Sequence, residues 1–306
     1  MNRTPIRPVT IASICSFGNC VEQTLALAEQ AAKQHPDLIL MPEGWHYSGF
    51  PTMEQEAHHP ATARLYEIAK EYGVYIVESS MRQEGNRFYN SAIVIDRNGE
   101  TMAIYNKIYP YWPELKSEEN PDGAIPGRLD QPVLDFDFGK AAIFICFDAN
   151  FPDIWANAAN QGAELVLWPS AYGAGRQLEA HAINHHFYIV SATTAGQVMA
   201  IDIDGTRFVN LASKRPAVQF VTLDLDRCVF HENYNTEILE ELLNEPNPSI
   251  EVERHLTEEQ WYVIRSARDG ISAREVCKNA GMEELRPYKR RSRVGIDAIR
   301  RAYYGE

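Results

Sequence analysis

Short apolar runs with the character of β-strands alternate with helical patterns over about the first 225 residues of the chain. In the first half, the strand-like runs are 9–15, 37–41, 74–80, 87–96 and 101–106, and the helical patterns are 21–33 and 61–72. Arg97-Asn98-Gly99 is a hairpin-turn signal between two of these strands. This mixture of βα units and hairpins predicts an α/β fold with one mixed sheet, or two stacked sheets, covered by helices.

The alternation continues after an irregular segment, 109–131, that is rich in proline, glycine and charge. Strand-like runs follow at 132–138, 140–146, 164–170, 187–193, 197–202 and 217–225, with helical patterns at 152–161 and 176–186. Beyond Cys228 helical patterns take over, at 237–244, 258–268, 273–280 and 295–303. Pro246 and Pro248 mark a linker, so we expect one domain over 1–245 and a helical C-terminal extension over 246–306.

Net charge, the length of apolar runs and the number of cysteines argue against a nucleic-acid-binding, a membrane-spanning and a disulfide-rich protein. The formal net charge of −13 repels phosphate backbones, and no apolar run approaches the length of about 18 residues that a membrane span requires. The start of the chain does not form a signal peptide. The five cysteines are odd in number and scattered, which indicates free thiols in a reducing compartment. We therefore expect a cytoplasmic protein that does not bind membranes.

Three reactive residues each lie just past the end of a predicted strand: Glu43, Lys107 and Cys146. In α/β folds this edge of the sheet is where sites are built. Glu43 can take the proton of the Cys146 thiol, and Lys107 can stabilise an oxyanion. Alternatively, Cys146 is a core residue, and Glu43 and Lys107 form an ordinary ion pair. Asn150 and Pro152 also suit a helix start, which would point backbone N–H groups near Phe147 at the same space.

Three segments, LILMPEGW, YNKIYPYWPE and FICFDANFPD, resemble the signature segments of the carbon-nitrogen hydrolase family, or nitrilase superfamily. The resemblance covers about residues 8–225 and implies a four-layer αββα sandwich of two mixed sheets. It implies Glu43 as general base, Lys107 as oxyanion stabiliser with the Phe147 amide, and Cys146 as nucleophile, through a thioester and without metal or organic cofactor. It also implies a second glutamate at Glu114, with Glu118 and Glu119 as nearby alternatives.

The resemblance further implies a small-molecule amide or nitrile as substrate and a homo-oligomer as the assembled form. The Cys-Phe-Asp sequence ending at Asp148 resembles amidase-type members more than nitrilases, so we expect an amidase, with a nitrilase as the alternative. Aromatic residues in loops beside the predicted site are candidates for an apolar substrate pocket. Together with Phe147, we expect four of them to bind substrate: Tyr109, Trp112, Trp168 and Tyr172.

The C-terminal tail supports a hypothesis of another class. Between Arg286 and Arg301 seven lysines and arginines stand against one acid, Asp297. A helix-turn-helix can be drawn from Gly270 to Arg301, so this basic segment is a candidate for binding nucleic acid or an acidic partner. Because such matches are common by chance, we expect no nucleic-acid binding and favour packing against a neighbouring subunit.

Overall fold

The computed structural model describes residues 5–18, 20–46 and 58–305. The chain divides into two compact units, one of Val9–Thr222 and the other of Met1–Pro8 with Leu223–Glu306. The predicted boundary between 245 and 246 lies inside the second unit, and it remains a prediction.

Two six-stranded sheets form the larger unit. The first has the strand order β12-β1-β2-β3-β4-β5 and consists of β1 (Pro8–Cys15), β2 (Leu38–Glu43), β3 (Tyr75–Glu84), β4 (Arg87–Ile95), β5 (Thr101–Asn106) and β12 (Ala217–Asp224). The second has the order β11-β10-β9-β8-β7-β6 and consists of β6 (Leu134–Phe136), β7 (Gly139–Ile143), β8 (Leu165–Ser170), β9 (Tyr188–Thr193), β10 (Gln197–Ile201) and β11 (Arg207–Ala212).

Each sheet is mixed, with parallel strands at its centre and antiparallel hairpins at its edge. The parallel sets are β1-β2-β3 and β7-β8-β9. Strands β2, β8 and β9 are buried along their whole length, as expected for parallel strands covered on both faces. The sheets face each other: β2 contacts β8 and β9, and the Ser13 hydroxyl donates to the Ser191 carbonyl at 2.6 Å.

Two pairs of helices cover the outer faces of the stacked sheets. Helices α1 (Val21–Ala32) and α2 (Ala61–Tyr72) contact each other and the first sheet, and α3 (Pro152–Asn160) and α4 (Arg176–His185) contact each other, with α4 against the second sheet. Helix α2 ends at Gly73, whose φ of 64° suits a left-handed C-cap, and α3 starts with Pro152. The predicted four-layer αββα sandwich is therefore confirmed.

The second unit combines a three-stranded antiparallel sheet with three helices. Its elements are β13 (Cys228–His231), α5 (Thr236–Leu243), β14 (Ile250–Leu256), β15 (Trp261–Ser266), α6 (Ala273–Asn279) and α7 (Leu285–Tyr304). The helix predicted over 258–268 is wrong. Residues 257–260 form the turn of the β14-β15 hairpin, because the aromatic and β-branched run after Gln260 favours a strand.

The helical C-terminal segment itself is confirmed. Ser272 caps α6 by accepting the Glu275 N–H, as its capping-box sequence predicts. Leu285 is the only residue of the long helix α7 that is fully buried among those described. Within the described residues, no helix is both long enough and apolar enough to cross a lipid bilayer.

Candidate active site

The three predicted reactive residues come from three strand ends of the larger unit. Glu43 is the last residue of β2, Lys107 directly follows β5, and Cys146 opens a short 3₁₀ turn, Cys146–Asn150, after β7. The sequence folds this way because each apolar run ends where a charged or polar residue meets a loop. Their side chains are nonetheless enclosed: Glu43 is 7%, Lys107 0% and Cys146 8% exposed.

Glu43, Lys107, Glu114 and Asn90 form one hydrogen-bonded group, here named the carboxylate–lysine cluster. The Lys107 ammonium Nζ lies 2.8 Å from Glu43 Oε1 and 2.9 Å from Glu114 Oε1. The side-chain amide of Asn90 donates to Glu43 Oε1 at 2.8 Å and to Glu114 Oε2 at 3.0 Å. Glu118 and Glu119 are exposed, so of the three candidate glutamates it is Glu114 that contacts Lys107.

The charge of Lys107 is fixed by its neighbours. Burial alone would lower the pKa of the ammonium, but the negative charges of Glu43 and Glu114 outweigh burial and raise it above its usual value, as would the charge of Cys146 in its thiolate form. Lys107 is therefore a permanent cation at neutral pH. A buried, permanently charged donor is suited to stabilising an oxyanion, because its field is not weakened by water.

The pKa of Glu114 is subject to opposing effects. Burial raises its pKa, the positive charge of Lys107 lowers it, and the negative charge of Glu43 raises it again, with a net upward shift. Two carboxylates share one ammonium, so the cluster has a formal charge of −1. This excess of negative charge makes the protonation of the cluster sensitive to any change in its hydrogen-bond donors.

The backbone of Cys146 adopts a conformation that is unusual for its residue type. Its φ is 47°, in the left-handed region, which costs a non-glycine residue on the order of 1 kcal/mol or more. Burial and the charge of Glu43 raise the pKa of the thiol, while Lys107 and the Ala171 N–H act in the other direction. The thiol is therefore protonated at neutral pH, and its use as a nucleophile requires a base.

Glu43 has one carboxylate oxygen to spare for that purpose. Oε1 accepts hydrogen bonds from both Lys107 and Asn90, whereas Oε2 is buried without a geometric hydrogen-bond partner among the described residues. Oε2 is therefore the Glu43 oxygen that can still accept a hydrogen bond from the Cys146 thiol, whose pKa the charge of Glu43 raises.

Asp148 anchors the turn that carries Cys146. Its fully buried carboxylate accepts hydrogen bonds from the Ile145 N–H at 2.9 Å, the Tyr109 N–H at 2.8 Å and the Tyr105 hydroxyl at 2.7 Å. Burial raises the pKa of Asp148 to about 6, against these hydrogen bonds. The carboxylate thus joins the cysteine turn to the loop that follows Lys107.

The predicted substrate-binding aromatic residues fall into two groups. Tyr172 is partly buried, and burial together with the charge of Cys146 in its thiolate form raises its pKa to about 12. Tyr109 stacks on Phe151 with ring centroids 3.7 Å apart. Trp168, in contrast, is fully buried in β8, and Trp112 is 75% exposed. Their roles in binding remain predictions.

Three further groups lie at the site: the Phe147 N–H, Asn90 and the Ala171 N–H. Within the described residues, the Phe147 N–H makes no hydrogen bond, and its contact with an oxyanion remains a prediction. Asn90 and the Ala171 N–H also belong to the site, although neither is predicted from the sequence. An asparagine inside the otherwise apolar β4 was a usable signal, since asparagine is disfavoured in strands. A backbone N–H carries no sequence signal.

The profile of the carbon-nitrogen hydrolase family matches residues 9–230. The chain therefore belongs to the carbon-nitrogen hydrolase family, which confirms the resemblance of its three segments. It is 28% identical to a nitrilase of Pyrococcus abyssi over 194 residues, 60% of this chain and 71% of that protein. It is 26% identical to a deaminated glutathione amidase of Synechocystis over 241 residues, 68% of this chain and 86% of that protein.

Solved structures share the fold. An amidase of the nitrilase superfamily from Nesterenkonia superposes with a TM-score of 0.60 at 24% identity, over 73% of this chain and 92% of its own.

Proposed function

We propose that the protein hydrolyses a non-peptide C–N bond of a small amide, giving a carboxylic acid and ammonia or an amine. The observation that carries the proposal is the shared position of Lys107 between Glu43 and Glu114, with the thiol of Cys146 beside Glu43. A lone buried ion pair would not require the second carboxylate or the adjoining thiol.

The residues support a two-step mechanism. Glu43 takes the thiol proton, and Cys146 attacks the carbonyl carbon, while Lys107 and the Phe147 N–H stabilise the oxyanion. Glu43 then returns the proton to the leaving nitrogen, which departs as ammonia or amine and leaves a thioester. A water molecule that gives its proton to Glu43 attacks the thioester, and the acid is released with the thiol restored. Each step uses only groups of the chain, substrate and water.

A nitrilase is the second candidate, and similarity to the Pyrococcus abyssi nitrilase favours it. The same thiolate would attack the nitrile carbon, and two waters would be consumed in reaching the acid and ammonia. The amidase is preferred because of the Cys-Phe-Asp segment and because the relatives include the deaminated glutathione amidase.

Ammonia release from a panel of small amides, carbamoyl compounds and nitriles tests the proposal. We expect turnover of at least one amide, and a loss of about a thousandfold or more in Cys146→Ala, because the substitution removes the proposed nucleophile. Cys20→Ala, which changes a thiol outside the cluster, is the matched control and should retain activity. Equal activity in Cys146→Ala would contradict the nucleophile assignment, and turnover of nitriles alone would favour the nitrilase.

We also propose that the protein is a homo-oligomer and that α7 contributes to its subunit contacts. The apolar residues Ile296, Ile299 and Tyr303 share one face of this helix and are all more than half exposed. Helix α7 carries a net charge of +6, from seven basic residues and one acid, so the rest of the chain carries −19. A second copy of this acidic chain is therefore a complementary partner for the basic helix.

A further inference from the structure

Asn90 lies where the three charged side chains of the carboxylate–lysine cluster meet. Its Nδ2 donates to Glu43 Oε1 at 2.8 Å and to Glu114 Oε2 at 3.0 Å. Its backbone carbonyl accepts the Lys107 N–H at 2.7 Å. Asn90 therefore touches each charged member of the cluster, and at 6% exposure it does so out of contact with bulk water.

The two glutamates fix the orientation of the Asn90 amide. An amide group has two N–H donors and one carbonyl oxygen, and here both donors face carboxylates. The opposite orientation would set Oδ1 against two negatively charged oxygens. As a consequence Oδ1 is buried without a partner among the described residues. The Asn90 side chain thus leaves its Oδ1 acceptor unsatisfied and uses both N–H donors on Glu43 and Glu114. We infer that the two glutamates determine this orientation.

The donors of Asn90 also matter for charge. The hydrogen bond from Asn90 lowers the pKa of Glu114, as does Lys107, against the upward effects of burial and Glu43. Asn90 is neutral, so it stabilises the carboxylates without adding to the charge of the site. By occupying Oε1 of Glu43 together with Lys107, it also leaves Oε2 as the oxygen available to the thiol of Cys146.

We propose that Asn90 is a positioning residue for the reaction: its side-chain amide holds Glu43 and Glu114 in their orientation on Lys107 and stabilises their ionised forms until Glu43 accepts the thiol proton. The proposal rests on the proposed function for its role in turnover. Its effect on the reactivity of Cys146 is measurable without any substrate.

The test compares three substitutions at Asn90 with a matched control. Asn90→Leu keeps a similar size but removes both donors, Asn90→Asp replaces the amide by a third carboxylate, and Asn90→Ser keeps a single donor in a smaller side chain. The control is Asn235→Leu. Asn235 is also buried, at 3% exposure, and its side chain bonds the carbonyls of His231 and Glu283, in the other compact unit.

The first measurement is the rate at which iodoacetamide alkylates Cys146, followed by mass spectrometry of its peptide between pH 4 and 9. We expect the acid limb of this rate profile to move up by about one pH unit in Asn90→Leu, by more in Asn90→Asp and by less in Asn90→Ser, because carboxylates that lose neutral donors bind protons more readily. Asn235→Leu should keep the wild-type profile. If Asn90→Leu does not fold, Asn90→Ser supplies the comparison.

The second measurement is kcat and KM on the best substrate of the panel. We expect kcat to fall by about tenfold or more in Asn90→Leu while KM changes by less than about threefold, since Asn90 acts through the catalytic groups. The proposal would be overturned if every folded Asn90 variant kept the acid limb of the wild-type alkylation profile and lost only thermal stability, as Asn235→Leu should. Asn90 would then be a structural residue. A shifted alkylation profile in an enzyme that turns over no amide or nitrile would instead contradict the proposed function alone.

Discussion

Basic and acidic side chains meet both in the carboxylate–lysine cluster and on helix α7, in opposite surroundings. In the carboxylate–lysine cluster, Lys107 is fully buried, and each of its charged neighbours lies within 3 Å of it. On helix α7, Asp297 pairs with Arg293 and Arg300 on a surface where both arginines are exposed. Oppositely charged side chains thus meet largely out of water in the cluster and in contact with water on α7.

The difference shows what burial adds to a charged pair. Water and salt screen the pairs of α7, so these pairs add little to stability, and the surface can exchange them for a partner's charges. In the cluster, burial leaves little water to screen the charges, so neighbouring charges shift the pKa values of Lys107 and Glu114. The cluster is therefore the region where a single substitution should alter both chemistry and stability.

Removal of the buried cation should have the largest effect. In Lys107→Met, Glu43 and Glu114 keep their burial and lose their common partner. We expect the free energy of unfolding at pH 7 to fall by about 3–5 kcal/mol, as is typical when a buried pair loses one member. We also expect turnover to fall by about a hundredfold or more, since the proposed oxyanion donor is lost. Urea denaturation and ammonia release measure the two effects.

Lys278→Met is the matched control for that substitution, because Lys278 is exposed on α6. We expect its stability to stay within about 0.5 kcal/mol of wild type. Similar losses in both variants would show that the cluster is no more sensitive than the surface, and the contrast between the two regions would fail.

Asp148 tests whether a buried carboxylate responds to pH where an exposed one does not. Its pKa in the folded protein is raised to about 6, above the value of about 3.8 for an aspartate that is fully exposed to water. The folded state therefore binds this proton more tightly than the unfolded state. The contribution of Asp148 to stability is greatest below about pH 4 and declines as pH rises to about 6, by on the order of 3 kcal/mol.

The variant Asp148→Asn removes this titration while keeping the size of the side chain. The difference in unfolding free energy between wild type and Asp148→Asn should shift against the wild type as pH rises from 4 to 6, then become constant. Asp153→Asn makes the same replacement at an exposed position of helix α3 and is the matched control. A pH-independent difference for Asp148→Asn would contradict the raised pKa.

The sequence predicts the positions of Glu43, Lys107 and Cys146 at the site because the ends of the strands can be recognised from the ends of apolar runs. The apolar runs before Glu43, Lys107 and Cys146 define where each side chain leaves its sheet, and the αββα arrangement brings the ends together. The links between them were not readable. Asn90 lies inside a strand, and its importance depends on hydrogen bonds to residues 47 and 24 positions away in sequence. Asp148 was interpreted as a mark of substrate class, and its bonds to Ile145, Tyr109 and Tyr105 became visible only in the structure.

The second unit was harder to predict because local signals conflicted. Thr257 and Gln260 have the spacing of a helix cap, but the six residues that follow pair with β13 and β14. Strand pairing between distant segments overrode the local capping signal. Ser272 has the same kind of signal, and there it is correct, since the segment after it has no strand partner among those described.

The smallest effect on catalysis should come from α7, because its exposed face lies outside the carboxylate–lysine cluster. The double variant Ile296→Glu/Ile299→Glu places two charges on the apolar face of the helix. We expect it to lower the oligomeric state measured by light scattering, while the unfolding free energy of the monomer and the alkylation rate of Cys146 change little, since both isoleucines are already more than half exposed.

Arg293→Glu, on the basic face of α7, should weaken association more at low than at high salt if acidic residues of a second copy lie opposite. An unchanged mass in both variants would refute the assignment of α7 to subunit contacts. Salt-dependent binding of a DNA duplex, lost in Arg293→Glu, would assign the helix to nucleic acid instead.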